Sequence, residues 1–209
     1  MASRHRRARS GDERRQEIMK AAERLFAKGR VHEVTLDDVA RAAQVGKGTI
    51  YRYFRDKDDL FFQTATSGFD DLCDLLREVP DEPDFQRRLL AACRQIVAFF
   101  DRRRHLIRMM QAEEGHALRA PGQARERWMQ RRRGLVSAVA DILAQGEASA
   151  EIRGDIPSEV LATYLLGLLR ARSNDLPDTP VEQRSLEQAL DLFWSGARRR
   201  DQATQAEGR

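Results

Sequence analysis

Residues 35–54, TLDDVARAAQVGKGTIYRYF, gather groups that bind phosphate and read base edges: hydroxyls at Thr35, Thr49, Tyr51 and Tyr53, an ammonium at Lys47 and a guanidinium at Arg52. Hydroxyl and cationic donors, with helix N-termini, are the usual partners of a nucleic-acid backbone. The spacing predicts two short helices joined by a tight turn. In that arrangement the second helix lies in a major groove about 12 Å wide, while the first braces it across the backbone. Such a second helix must be polar outward and anchored inward. Val45, Ile50 and Phe54 supply the anchors, and Lys47, Gly48, Thr49, Tyr51, Arg52 and Tyr53 face the other way. Gly48, lacking a side chain, lets the backbone come close to DNA.

Charge is distributed to match. The chain has 209 residues and a net charge of +4. Six arginines in residues 1–16 outweigh Asp12 and Glu13, so the N-terminal arm alone carries an excess equal to that of the whole chain. All four lysines, Lys20, Lys28, Lys47 and Lys57, fall in the first 57 residues. A basic arm ahead of a folded region is a nucleic-acid signature.

Other chemistry finds less support. No Walker loop, G-x-S-x-G or H-E-x-x-H occurs, so no familiar enzyme class is indicated and no cofactor is expected. His105, Glu113, Glu114 and His116 lie close together but lack the i, i+4 histidine pair of a metal site, and are expected to be solvated surface groups. Cys73 and Cys93 are expected to be buried, reduced thiols. No apolar run approaches the roughly 20 residues of a membrane span. No apolar segment follows the basic N-terminus, so a cytoplasmic location is expected.

Helical periodicity positions these residues. Ile18, Ala21, Ala22, Leu25 and Phe26 mark a first helix opened by Ser10 and Glu13 and stopped at Gly29. Thr35 with Asp38 opens a second, burying Leu36, Val39, Ala40 and Ala43. A third covers roughly Lys47 to Phe54, and Asp56 with Asp59 opens a fourth. Beyond Pro80, helices are expected on Phe85 to Phe100, Arg104 to Gly115, Gln123 to Ala148 and from Pro157 through Leu169. A loop over Asn174 to Pro180 then leads to a last helix with Leu186, Leu190, Phe193 and Trp194. With no alternating β pattern, the fold class is all-α: an N-terminal three-helix helix-turn-helix domain, then a larger helical domain. The expected division is a disordered basic arm (1–10), a DNA-binding domain (11–62), an effector-binding and dimerisation domain (63–198) and a polar tail (199–209).

The run from Ile18 to Phe62, with LFAKG ending its first helix and GKGTIYRYFRDKDDLF across the third and fourth, resembles the DNA-binding domain of the TetR family of bacterial repressors. The resemblance implies that Thr35 caps the second helix and contacts phosphate. Lys47, Gly48 and Thr49 would approach base edges and backbone, Tyr51 and Tyr53 would bond phosphates, and Lys57 would clamp another. The family often has Gly where this chain has Gln44, and a hydroxyl residue where it has Gly46 at the start of the recognition helix. A left-handed Gln44 costs roughly 1 kcal/mol, and Gly46 is only slightly inferior as a cap.

The remaining helices follow the family only in plan. That plan implies a homodimer on a near-palindromic double-stranded operator, regulated by an unidentified small-molecule effector. The apolar face of 160–169 with the last helix suits a two-fold contact through Leu161, Leu165, Leu168, Leu186, Leu190 and Phe193, the alternative being that this face is the chain's own core. Phe99, Phe100, Met109, Met110 and Trp128 are candidates to line an effector pocket, with plain core as the alternative for each. The arginine clusters at 102–104 and 131–133 are either surface groups or partners for an anionic effector. An activator or global DNA binder on the same scaffold is the alternative, and a helical protein–protein adaptor a more distant one.

Overall fold

The computed structural model describes residues 11–28, 33–80, 82–119, 123–176 and 178–198. The arm, Ser10, Gly29, the Pro121–Gly122 break and the polar tail lie outside them. Among the described residues the regular structure is helical, with a lone bridge between Ile152 and Arg198. No helix among them is long and apolar enough to cross a membrane. Two compact units emerge. One takes the described residues up to Gly68 together with His105–Arg119, and the other takes Phe69–Arg104 and the described residues from 123 onward.

The first unit is built on α1 (Gly11–Lys28), α2 (Leu36–Ala42), α3 (Lys47–Tyr53), the start of α4 (Lys57–Arg77) and nearly all of α6 (Arg104–Arg119). Its core joins Ile18, Ala22 and Phe26 to Val39, Ala40, Ile50, Phe54, Leu60 and Met109. Gly68 on α4 is a packing necessity, since a Cβ there would come within 2.7 Å of Met110 Sδ and 3.0 Å of Leu106 Cδ2. Helix α6 runs through Gly115 to Arg119, just short of the Pro121–Gly122 break expected to end it. A glycine inside a helix costs only about 1 kcal/mol, and the nearest proline is Pro121. Glu113 departs from expectation: it is buried, because it continues the inward stripe of Leu106, Met109 and Met110.

The second unit contains the rest of α4, α5 (Phe85–Arg102), α7 (Gln123–Ala148), α8 (Ser158–Arg170) and α9 (Leu186–Ala197). Helix α7 packs chiefly on α8, and α5 on α7, α8 and α9. Asp84 caps α5 by accepting from the Arg87 N–H at 3.1 Å, and Ser185 caps α9 by accepting from Gln188 at 3.1 Å. The expected loop from Asn174 begins later, because α8 continues as a π-helical turn over Ala171–Asp175. Its Arg172 reaches Asp101 on α5 at 3.5 Å, and Ser173 is buried, so this turn is held from inside. The end of α9 is tied back by the Arg153 N–H donating to Ala197 O at 2.9 Å.

Candidate nucleic-acid interface

The turn between α2 and α3 sets the recognition helix. Gln44 adopts φ 55, the left-handed conformation expected of it. Around it Gln44 N–H donates to Arg41 O at 3.2 Å and Val45 N–H to Ala40 O at 2.9 Å. These are the two bonds of a Schellman motif, which satisfy carbonyls orphaned at the end of α2. Below the turn, Ile50 and Phe54 are fully buried and Val45 packs against the same core.

The outward face of α3 carries the predicted donors. Lys47, Gly48, Tyr51 and Arg52 are exposed, while Thr49 and Tyr53 are half-buried. Gly46 caps α3 from an extended conformation without a side-chain bond. Nothing lies within 4 Å of where a Gly48 Cβ would stand, so its backbone is open to a close approach. Tyr53 rests against the core, its ring 6.4 Å from that of Phe54.

Several of these groups are engaged within the chain. The Thr35 hydroxyl donates to Asp38 Oδ2 at 2.6 Å and accepts from the Asp38 N–H at 3.2 Å, while the Thr35 N–H donates to the same carboxylate at 3.0 Å. This closed capping box holds the Asp38 carboxyl below its ordinary range, through the Thr35 side chain first and then its backbone. The Thr35 hydroxyl proton is therefore already committed. Lys47 Nζ donates to Asp37 at 3.0 Å, which raises the lysine's pKa. Both groups are more than half exposed, so the pair is worth little and yields readily to a stronger anion.

Helix α4 starts on a similar lattice. The Asp59 N–H donates to Asp56 Oδ1 at 2.7 Å, and the Arg55 N–H donates back to Asp59 Oδ2 at 3.0 Å. Gln63 bridges Asp59 and Arg15, fixing α1 to α4. Lys57, in the first turn of α4, is half-buried.

The residues assigned in sequence to a second copy divide by burial. Leu161, Leu165, Leu186 and Phe193 lie in the chain's own core, and only Leu168 and Leu190 are partly exposed. Helix α8 turns Leu161, Ala162, Leu165, Leu166 and Leu169 inward, which leaves Val160, Tyr164 and Gly167 on the other side. Tyr164 is 61% exposed and Leu192 on α9 is 67% exposed. Two shallow grooves border this surface. One of about 400 Å³ is lined by Met129, Arg132, Arg133, Val136, Val160 and Tyr164. Another of about 340 Å³ is lined by Leu168, Arg172, Leu176, Gln188 and Leu192.

The effector candidates divide between the units. Met109 and Met110 belong to the first, Met109 within the helix-turn-helix core, whereas Phe99 and Trp128 belong to the second. Phe99 and Phe100 are buried neighbours, and Trp128 meets Phe69 edge-to-face at 4.9 Å. Among the described residues, the buried Trp128 Nε1 and Gln95 Oε1 have no hydrogen-bond partner. Members of both arginine clusters are ion-paired: Arg103 with Asp71 at 3.1 Å, and Arg131 with Asp70 at 2.6 Å. No group of three metal-ligating side chains occurs among the described residues. His105 instead contacts Arg108.

Comparison with known proteins places this geometry. Residues 18–64 match the family described as bacterial regulatory proteins, tetR family. The HTH-type transcriptional repressor AcnR of Corynebacterium diphtheriae is 27% identical over 185 residues, covering 88% of this chain and 92% of AcnR. The HTH-type transcriptional regulator HbdR of an Aromatoleum strain is 42% identical over 59 residues, 28% of this chain and 26% of HbdR. In fold, the transcriptional regulator FadR of Bacillus subtilis, solved in complex with stearoyl-CoA, superposes with a TM-score of 0.70 at 21% identity, over 87% of this chain and 98% of FadR.

Proposed function

We propose that this chain, which belongs to the TetR family of bacterial regulatory proteins, is a ligand-responsive repressor that binds a near-palindromic operator as a homodimer. The observation that carries the reading is the face of α3: an exposed recognition helix with Lys47, Gly48 and Tyr51 outward, anchored by the buried Ile50 and Phe54. Lys47, Gly48 and Thr49 approach the bases and adjoining backbone from the start of this helix, while Tyr51, Tyr53 and Lys57 contact phosphates. Thr35 acts mainly as the cap that orients α2. The similarity to AcnR, which runs along most of both chains, supports repression as the sign of control.

The dimer follows from reading length. A seven-residue helix spans too few base pairs to specify a site, and two-fold protein symmetry matches two half-sites. The surface that suits a second copy is the exposed Val160, Tyr164 and Leu192 with the partly exposed Leu168, because exposed apolar side chains clustered on one face mark contact sites. An effector is supported by the unpartnered indole Nε1 of Trp128, since a buried, unsatisfied donor costs about 1–3 kcal/mol that a polar ligand group would relieve. FadR's stearoyl-CoA complex supports a small molecule acting on this fold. Such a ligand shifts DNA affinity only as far as it prefers one state of the protein.

The test is a gel shift with duplexes from upstream of the chain's own and neighbouring genes, in excess unrelated DNA, with sedimentation of the complex. One duplex should be retained with two protein chains bound. Equal retention of every duplex, or a 1:1 complex of full affinity, would overturn the reading.

A further inference from the structure

The cations of the helix-turn-helix are held in two different ways. Arg41 pairs with Asp38 at 3.2 Å, Lys47 with Asp37 at 3.0 Å and Arg55 with Asp56 at 3.0 Å. Arg52 has an aromatic partner instead. Its guanidinium lies over the Tyr53 ring, 5.0 Å from the centroid, and Nη2 donates to the Tyr53 hydroxyl at 3.0 Å. Tyr53 is itself packed against the core, so the support beneath Arg52 is firm. The side chain is thereby oriented while its charge stays uncompensated by any described carboxylate. A carboxylate-paired cation must break its pair to meet DNA, whereas Arg52 need break none. Its fork has five N–H donors, of which only one is used by Tyr53.

Position completes the argument. Arg52 follows Gly48 by four residues, so the two share one face of α3. Gly48 is where the backbone of α3 stands open to close approach. A partner pressed against Gly48 meets Arg52 one turn further along. Flexible phosphate contacts need no such preparation, but a planar fork held in one orientation suits the paired O6 and N7 acceptors of guanine. We infer that Arg52 is a specificity-determining residue that reads a guanine in the major groove, with Tyr53 as the residue that positions it. This rests on the DNA-binding reading above and assigns Tyr53 a role beyond a phosphate contact.

The experiment is selection from a randomised 30-base-pair duplex library with the full chain, as wild type, Arg52→Ala, Arg52→Lys and Tyr53→Phe, each checked by circular dichroism. Wild type should enrich a site with guanine at one position of each half-site. Arg52→Ala should lose that single preference and keep the others, weakening binding to the guanine site roughly 5- to 150-fold. Arg52→Lys, which keeps the charge but not the fork, should lose the preference too. Tyr53→Phe keeps the ring and removes the hydroxyl, and should blunt the preference at that same position. A uniform loss at every sequence would make Arg52 a phosphate contact and overturn the inference, and a guanine preference kept in full by Arg52→Lys would overturn the role given to the oriented fork. Unchanged selection would overturn it as well. Failure of wild type to enrich any sequence would instead sink the DNA-binding reading.

Discussion

The α2–α3 pair and the α8–α9 pair are each made of two short helices, yet they present opposite surfaces. The first hides a few apolar anchors, Val39, Ala40 and Ile50, and turns lysine, arginine and tyrosine to solvent. The second fills its inner side with leucine and still leaves Val160, Tyr164 and Leu192 uncovered. A polar, hydroxyl-rich face is stable in water and ready for a charged partner. Exposed apolar side chains are better satisfied by another protein surface. One chain thus carries a polar, cationic face on one helix pair and a partly apolar face on the other.

The sharpest way to break this comparison is a charge on each side of α8. Leu165 is fully buried and Tyr164, its neighbour, is 61% exposed. Leu165→Arg places an unpaired charge in the core, at a cost of several kcal/mol, and should unfold the second unit. Tyr164→Arg should leave helicity intact and yield a monomer with much weaker operator affinity, since two-fold symmetry applies the substitution twice. Sedimentation with circular dichroism decides it. A stable dimer of Tyr164→Arg would place the contact elsewhere.

A smaller effect probes the α5 core that backs this second face. Burial pushes the Cys93 thiol up to about 12 from an ordinary 9.0. Below pH 9 both folded and unfolded states hold the neutral thiol, and no stability is lost. Above it the unfolded state ionises first, so stability falls as pH rises from 9 towards 12, by up to about 1.4 kcal/mol per pH unit. Denaturant melts from pH 8 to 11 should show that slope in wild type and a shallower one in Cys93→Val. Equal slopes would contradict a buried neutral thiol.

On the DNA side, Thr35→Ala opens the capping box and should cost about 1 kcal/mol, read in a denaturant melt, with a modest loss of operator affinity. A large affinity loss without destabilisation would make Thr35 a direct phosphate contact instead. Gln44→Gly relieves the left-handed strain at φ 55 and should stabilise the protein by up to about 1 kcal/mol. No gain would mean that the Gln44 side chain offsets the strain.

The same contrast explains what could be read from sequence. In α2–α3 most residues are polar and each apolar one has a single place to go, so the anchors, the turn at Gln44 and the caps at Thr35 and Asp56 were all legible. Helix α8 has leucines at 161, 165, 166, 168 and 169, and a helix apolar nearly all round gives periodicity nothing to contrast against. Periodicity therefore does not separate Leu161 and Leu165 from the exposed side, which Tyr164 and Val160 mark. Glu113 misled for a related reason: a carboxylate reads as surface, yet this one falls on the inward stripe of α6. The Asp37–Lys47 pair and the Arg52–Tyr53 stack depend on rotamers that spacing alone does not encode.

The central claim is that the α3 face and the start of α4 meet DNA. The most direct test is operator affinity as a function of salt for wild type, Tyr51→Ala and Lys57→Ala, each confirmed folded. Both variants should bind more weakly, and Lys57→Ala should reduce the salt slope by about one unit because one phosphate contact is lost. Unchanged affinity and slope in both would contradict the account.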